Sequence, residues 1–317
     1  MEILDIDETN FKQNFLNYIA DVNVFCNERF NALNSHKVNS IKYLLFKNNK
    51  IRFGLILGIK DHIAISPFSA PYGGFTTINK NVALKHLYTA LSALDSYCVE
   101  QKIQELNLTL PPTFYGENIL NSWASAFINH GFCIRSLDLN YQFRLEKFNG
   151  YNSYLESSIK NQFKKAISND FSFVECKSFE DRLAAYSVIQ QNKLENNYPL
   201  KLTFDQVQDT MKIIKADFFL VKDKDGNDVA AAMIFRVTNT VAQIIYWGHL
   251  DKYSKLYPMN YMAYKVFEYY YNLNYEWVDI GPSSEDGIPN FGLCDFKQNI
   301  GCDISLKYSF NKKFINN

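Results

Sequence analysis

Side chains that could carry out acid–base chemistry stand at the end of one predicted strand. Tyr246, Trp247 and His249 lie at the carboxyl end of the strand predicted over Val241–Trp247. A tyrosine there could protonate a leaving thiolate, and a histidine, whose ordinary pKa lies near neutrality, could act as a general base. We predict that Tyr246 and His249 are catalytic. The alternatives are that Tyr246 is one of 21 tyrosines and only packs on a sheet, and that His249 lies in a solvated loop.

Three other places could bind a substrate. Asp279 and Ser283 lie where another predicted strand ends, and α/β proteins often place sites in such segments. Lys164 belongs to a basic helical face that could hold phosphate groups or be simply solvated. A small-residue loop combines backbone N–H groups with aromatic rings, and it could line a cleft or be a structural turn. This loop consists of Tyr72, Gly73, Gly74 and Phe75.

Composition limits the class of protein. The 33 Lys+Arg residues balance 33 Asp+Glu, which excludes a surface that is basic throughout but leaves room for a local basic patch. The longest apolar run, Phe53–Ile59, is far shorter than the ~20 residues of a membrane helix. The six cysteines are scattered, so we expect core thiols and no metal site. With no secretory signal pattern and with residues that AT-rich codons favour, we expect a reduced, cytoplasmic, bacterial protein.

Periodicity predicts the same order of elements in both halves of the chain: strands, a helix, a strand, a helix and a strand. In the first half these elements are predicted at Ile41–Lys47, Ile51–Ile59, His62–Pro67, Val82–Gln101, Glu105–Leu110, Asn118–His130 and Phe132–Leu145. In the second half they are predicted at Asp217–Lys222, Val229–Val237, Val241–Trp247, from Pro258, and at Tyr275–Ile280, Asn290–Asn299 and Ile304–Phe310. Such a repeat predicts two similar α/β domains, at 1–147 and 148–317, and helices over Ser157–Ile167 and Phe179–Asn196 open the second.

Three stretches resemble GNAT acyltransferases of the FemABX-like type, which pair two such domains. They are SPFSAPYGGF at Ser66–Phe75, DIGP at Asp279–Pro282 and GLCDFKQNIG at Gly292–Gly301. The last stretch resembles a terminal Gly-Leu-x-x-Phe-Lys-x-x-x-Gly run. The resemblance implies tandem GNAT-like domains (α+β), each with a mixed, mostly antiparallel sheet flanked by helices.

The resemblance also implies transfer of an acyl group, with acyl-CoA as donor, to a small-molecule amine acceptor, in many relatives a cell-envelope precursor. It implies that Lys297 stabilises an oxyanion or a phosphate; the alternative is an ordinary surface lysine. The second domain would hold the donor through Trp247, and Tyr72–Phe75 would line the acceptor cleft between the domains.

One segment departs from the GNAT pattern. Many GNAT enzymes bind the pyrophosphate of CoA with a glycine-rich turn at the start of a helix. The matching segment, Lys255–Tyr261, has no glycine, and Pro258 has no N–H to donate. We expect Met259, Asn260 and Tyr261 to bind the donor at this helix start instead.

Two alternatives to the CoA-dependent enzyme stay open. One is an aminoacyl-tRNA-dependent peptidyltransferase of the Fem type, which is disfavoured because the sequence has no long charged heptad arm. The other is a non-catalytic small-molecule binding module on the same fold. The sequence does not identify the acceptor, the acyl chain or the oligomeric state.

Overall fold

A computed structural model describes residues 1–79 and 82–314, apart from the side chain of Ser158. The strands are β1 (Glu2–Ile6), β2 (Ser40–Lys47), β3 (Ile51–Lys60), β4 (Ile63–Ser66), β5 (Thr76–Thr77), β6 (Glu105–Thr109), β7 (Cys133–Arg144), β8 (Ser172–Glu175), β9 (Ala216–Lys222), β10 (Asp228–Arg236), β11 (Val241–His249), β12 (Trp277–Pro282), β13 (Ser284–Glu285), β14 (Ile288–Pro289) and β15 (Asp303–Lys313).

The α-helices lie between these strands along the chain, singly or in consecutive pairs. They are α1 (Glu8–Asn14), α2 (Glu28–Leu33), α3 (Leu84–Glu100), α4 (Glu117–Asn129), α5 (Tyr151–Tyr154), α6 (Ser157–Ser168), α7 (Phe179–Glu195), α8 (Phe204–Met211), α9 (Pro258–Asn272) and α10 (Phe291–Asn299). Every predicted strand and helix is present, with ends that differ by a few residues. The short elements β1, α1, α2, β8 and α8 were not predicted.

The chain forms two compact units, each made of discontinuous segments. Unit 1 is Met1–Leu139, Ser284–Pro289 and Ser305–Asn317, and unit 2 is Asn140–Ser283 and Asn290–Ile304. A compact unit need not be an independent domain, so the predicted boundary between residues 147 and 148 stays a prediction.

The sheet of unit 1 has the strand order β1-β2-β3-β4-β6-β15, with β5 beside β3. All neighbours in it are antiparallel except β4 and β6, which α3 connects as a parallel pair. The predicted apolar stripe of α3 is buried except for Leu84, which is 46% exposed in the first turn. Phe127 of α4 lies at the centre of the core, where its ring contacts those of Phe75, Phe132 and Phe310.

The sheet of unit 2 repeats this arrangement. From the second half of β7 its strand order is β7-β12-β11-β10-β9-β8, and its one parallel pair is β11 with β12, connected by α9. The buried face of α9 includes Met262, Val266 and Phe267, as its periodicity predicts. The ring of Phe267 stacks on that of Phe143 with centroids 4.0 Å apart. Each unit therefore has the mixed, mostly antiparallel sheet flanked by helices that the sequence predicts.

The position of Phe127 predicts how unit 1 responds to mutation. Phe127 is fully buried, whereas its neighbour in the same helix, Ile128, is 47% exposed. We expect Phe127→Ala to lower the free energy of unfolding by about 3–5 kcal/mol, because it leaves a cavity in the core. The matched change Ile128→Ala should cost less than about 1 kcal/mol. Urea denaturation followed by circular dichroism measures both, and equal losses would contradict the packing described.

Candidate active site

The parallel pair of unit 2 separates after three residue pairs. β12 is in register with β11 only from Val241 opposite Trp277 to Gln243 opposite Asp279, while β11 stays paired with β10 as far as His249. In unit 1 the equivalent pair stays in register along the whole of β4. Beyond Gln243 the edge of β11 that faces away from β10 therefore has backbone groups that β12 does not use, and these groups could bind a ligand.

A buried carboxylate holds the strands together at the point where they separate. Asp279 has no exposed surface. Its Oδ1 accepts hydrogen bonds from Asn140 Nδ2 of β7 at 2.8 Å and from the backbone N–H of Gly281 at 2.9 Å. Its Oδ2 accepts one from Gln243 Nε2 of β11 at 2.9 Å. Asp279 thus links three strands, and its geometry is that of a residue that positions others; its predicted contact with a substrate stays a prediction.

Gly281 turns the backbone at the end of β12. Its φ is +79°, in the left-handed region that favours glycine, and the register of β12 on β7 shifts between Asp279 and Gly281. A Cβ placed on Gly281 would meet no atom within 4 Å, so there is open space beside this residue. The turn leaves the carbonyl groups of Gly281 and Pro282 free to accept hydrogen bonds from a side chain of α10.

That side chain is Lys297. It is 4% exposed, and its Nζ donates hydrogen bonds to the carbonyl oxygens of Gly281 and Pro282, each at 2.9 Å. Burial lowers the pKa of Lys297 to about 8, although Cys302 and Asp279 oppose that shift. An ammonium group has three N–H donors, so one donor remains for a ligand after these two bonds. The surface-lysine alternative is therefore wrong for this residue.

The predicted site residues of β11 contact different neighbours. The ring of Trp247 packs on that of Phe296, the neighbour of Lys297 in α10, at 5.8 Å. Burial raises the pKa of the Tyr246 hydroxyl, and backbone hydrogen bonds from Lys201 and Leu202 oppose that shift. Tyr246 is thus a protonated phenol at neutral pH.

His249 and the start of α9 are occupied by local hydrogen bonds. The ring Nε2 of His249 lies 2.9 Å from Ser254 Oγ, and burial lowers its pKa. The backbone N–H of Asn260 donates to the carbonyl of Tyr257, and the Tyr261 hydroxyl donates to the carbonyl of Phe171. Met259 and Asn260 are buried. Donor binding by these residues stays a prediction.

The remaining predicted site residues are divided between unit 1 and unit 2. In unit 1, Tyr72 is fully buried with its hydroxyl 3.1 Å from Asn23 Nδ2, and Phe75 belongs to the aromatic core. The N–H groups of Gly73 and Gly74 donate to Thr109 O and Ser66 Oγ. In unit 2, Lys164 is exposed on α6, and Ser283 is buried with a hydroxyl that has no hydrogen-bond partner among the described residues. Substrate contacts of this set stay predictions.

Sequence reasoning missed Asn140, Gln243 and Lys193 of this region. Gln243 is a polar residue inside a largely apolar strand, and that signal was available in the sequence, whereas Asn140 alternates with other polar residues along β7 and does not stand out. Lys193, in the last turn of α7, places its Nζ 5.7 Å from the centre of the Tyr246 ring. Nothing in the local pattern of a charged helix distinguishes it from a solvated lysine.

The lowered pKa of Lys297 predicts how stability depends on pH. Between pH 8 and 10.5 the folded protein holds Lys297 neutral, whereas the unfolded chain keeps it charged. The unfolded state then binds more protons, so the free energy of unfolding of the wild type should rise relative to Lys297→Met as pH increases through this window. The rise should be at most about 3 kcal/mol. Urea denaturation between pH 7 and 10 measures it, with exposed Lys224→Met as a flat control. A constant difference between wild type and Lys297→Met would contradict the burial of this amine.

Comparisons with solved structures concern the fold. FemX has a TM-score of 0.70 and 11% identity, covering 99% of this chain and 98% of FemX. L-PGS from Bacillus licheniformis has a TM-score of 0.61 and 12% identity, covering 98% and 94% of the two chains. A tandem GNAT protein from the clavulanic acid biosynthesis pathway has a TM-score of 0.51 and 9% identity, covering 98% of each.

Sequence comparisons do not add to this result. No protein-family model matches, and no curated protein is similar in sequence. No helix in the described part of the chain is long and apolar enough to cross a membrane. The fold that the sequence predicted is confirmed by the solved structures: the chain has a FemABX-like GNAT fold.

Proposed function

We propose that the protein is an N-acyltransferase that moves an acyl group from a thioester donor, acyl-CoA, to the amine of a small-molecule acceptor. The observation that carries this proposal is the Lys297 ammonium, which is buried and anchored on the carbonyls of Gly281 and Pro282 where β11 and β12 separate. A preorganised cation beside open strand edges is suited to stabilise charge that develops on a bound carbonyl.

In the proposed reaction, the lone pair of the amine attacks the acyl carbonyl carbon and forms a tetrahedral oxyanion. The third N–H of Lys297 donates to this oxyanion. Collapse of the intermediate breaks the carbon–sulfur bond and releases a thiolate. The nitrogen loses a proton to solvent water, and water returns one proton to the group that protonates the thiolate. Tyr246 is a protonated phenol and is the proposed donor of a proton to the thiolate. His249 remains a candidate base through Nδ1, because only its Nε2 is used in the contact with Ser254.

The start of α9 favours a second candidate for the donor. Its N-terminal residue is Pro258, and the N–H of Asn260 is already used within the turn, so few backbone donors remain for a pyrophosphate. An aminoacyl-tRNA ester needs no pyrophosphate cradle at this helix. The structures named FemX and L-PGS share the fold. Aminoacyl transfer is therefore the runner-up, with the same roles for Lys297 and Tyr246.

The proposal predicts the effect of removing Lys297. Purified protein is incubated with acetyl-CoA and longer acyl-CoA thioesters, a panel of amines and a thiol reagent that detects free CoA. Lys297→Met should lower kcat about 10²–10³-fold, because it removes one oxyanion donor. Lys224→Met, a change at an exposed turn of unit 2, should keep wild-type turnover. Unchanged turnover in Lys297→Met would remove this lysine from the chemistry.

Donor identity is tested separately. A thermal shift with acyl-CoA but not with aminoacyl-tRNA supports the thioester donor. Salt-dependent binding of aminoacyl-tRNA without a shift from acyl-CoA supports the runner-up. Binding of a ligand without turnover of any donor would instead point to the non-catalytic binding module.

A further inference from the structure

A second lysine lies beside the proposed site and has no assigned role. Lys193 belongs to the last turn of α7, and its Nζ lies 5.6 Å from the centre of the Tyr198 ring and 5.7 Å from that of Tyr246. Tyr246 is on β11, and Tyr198 is in the segment that follows α7. The ammonium group is therefore held between two aromatic rings rather than extended into solvent.

Tyr198 connects Lys193 to the helix that carries Lys297. The side-chain amide of Asn290 donates to the Tyr198 hydroxyl at 3.1 Å. Asn290 in turn caps α10, since its Oδ1 accepts the N–H of Leu293 at 3.1 Å. Lys193 is close enough to Lys297 to lower the pKa of the Lys297 amine by repulsion. The two cations thus belong to one electrostatic environment.

Lys193 pairs with no carboxylate among the described residues, whereas Lys297 has the buried Asp279 carboxylate nearby. Other lysines of unit 2, such as Lys212 and Lys222, pair with nearby aspartates. Among the residues that the structure describes, no carboxylate forms an ion pair with Lys193 or Lys297. The nearest acid in sequence, Glu195, uses its carboxylate on the backbone N–H of Asp251 and on the side chain of Gln191. Lys193 is a partly desolvated cation without a counter-ion beside a second cation, and a bound anion relieves that cost.

The surroundings of Lys297, which lies within electrostatic reach of Lys193, have space and a hydrogen-bond donor for such a group. Open space adjoins Gly281, whose carbonyl holds Lys297. Ser283 follows the second anchoring residue, Pro282, and its buried hydroxyl is unpartnered among the described residues. Burial also lowers the pKa of Lys193, as expected for a cation that lacks its counter-ion. A carboxylate or phosphate placed here would meet charge and hydrogen-bond donors together.

We infer that Lys193 binds an oxyanion, a carboxylate or a phosphate, that the substrate carries, while Lys297 serves the reacting carbonyl. The inference rests on the proposed function, because it says that the substrate of that reaction is an anionic compound. Lys193 is then a specificity-determining residue. The alternative is that Lys193 only packs against Tyr198 and Tyr246.

Anion binding tests this inference without any donor. Wild-type protein is titrated with inorganic phosphate and, separately, with acetate by isothermal calorimetry, at an ionic strength held constant with chloride. We expect saturable binding of at least one of the two anions, and the stronger one identifies the source as phosphate or carboxylate. Lys193→Met should weaken that binding at least about tenfold. Lys193→Arg should restore most of it, and Lys224→Met should leave it unchanged.

A second measurement follows the lysine side chains directly by NMR. In protein with ¹³C-methylated lysines, adding the anion should shift the Lys193 resonance of the wild type. In the wild type the anion should also raise the pKa of Lys297, because its negative charge offsets that of the Lys193 ammonium; a Lys193 side chain that only packs against the two rings would leave that pKa unmoved when the anion is added. Absence of saturable binding in the wild type, equal affinity in Lys193→Met, or an unmoved Lys297 pKa would each overturn the inference.

The two proposals can fail independently. If Lys297→Met abolishes acyl transfer but Lys193→Met binds anions normally, the inference fails and the proposed function stands. If anion binding needs Lys193 but no donor is turned over, the anion site stands and the proposed function fails. A comparison of ethanolamine, glycine and O-phosphoethanolamine as acceptors then links the two, since the inference expects Lys193→Met to raise KM only for the anionic amines.

Discussion

The geometry of the site depends on one buried carboxylate. Asp279 has no exposed surface, and a charge buried in this way must be satisfied by hydrogen bonds. Its partners come from β7, β11 and the turn at Gly281, so satisfying the carboxylate ties the three elements together. The register of β11 and β12 ends at this carboxylate, and the turn that follows presents the carbonyls of Gly281 and Pro282 to Lys297 of α10.

Burial makes Lys297 an unusual lysine. Two carbonyl oxygens hold the ammonium in place, while desolvation lowers its pKa to about 8. The residue therefore combines a fixed direction with a charge that water does not screen, and both properties strengthen its interaction with a developing oxyanion. A lysine on an exposed helix face would have neither. Burying this charge costs free energy of folding. Such costs are common at functional sites.

The two units share one topology but differ at their parallel strand pairs. Both contain one parallel strand pair connected by a helix. In unit 1 that pair stays in register along β4, and the loop after it packs Tyr72 and Phe75 into an aromatic core. In unit 2 the pair separates early, and polar residues stand at the point of separation. The same topology thus supports an aromatic core in one unit and the proposed site in the other.

The sequence by itself determined most of the secondary structure, since the strands and helices of both halves follow from apolar periodicity and from turn residues such as Gly131 and Pro258. It failed for β1, α1, α2, β8 and α8, which are too short for a periodic signal to be distinct. The terminal motif pointed to Lys297, because a motif is a pattern of neighbouring residues that can be read without knowing the fold. The tertiary structure alone decided that Asn140 and Gln243 meet Asp279, and that Lys193 lies with Tyr246 and Tyr198. Apart from the contact of Lys193 with Tyr198, these contacts join residues far apart in the chain. They depend on which strands are neighbours and on where α7 packs, which no local pattern encodes.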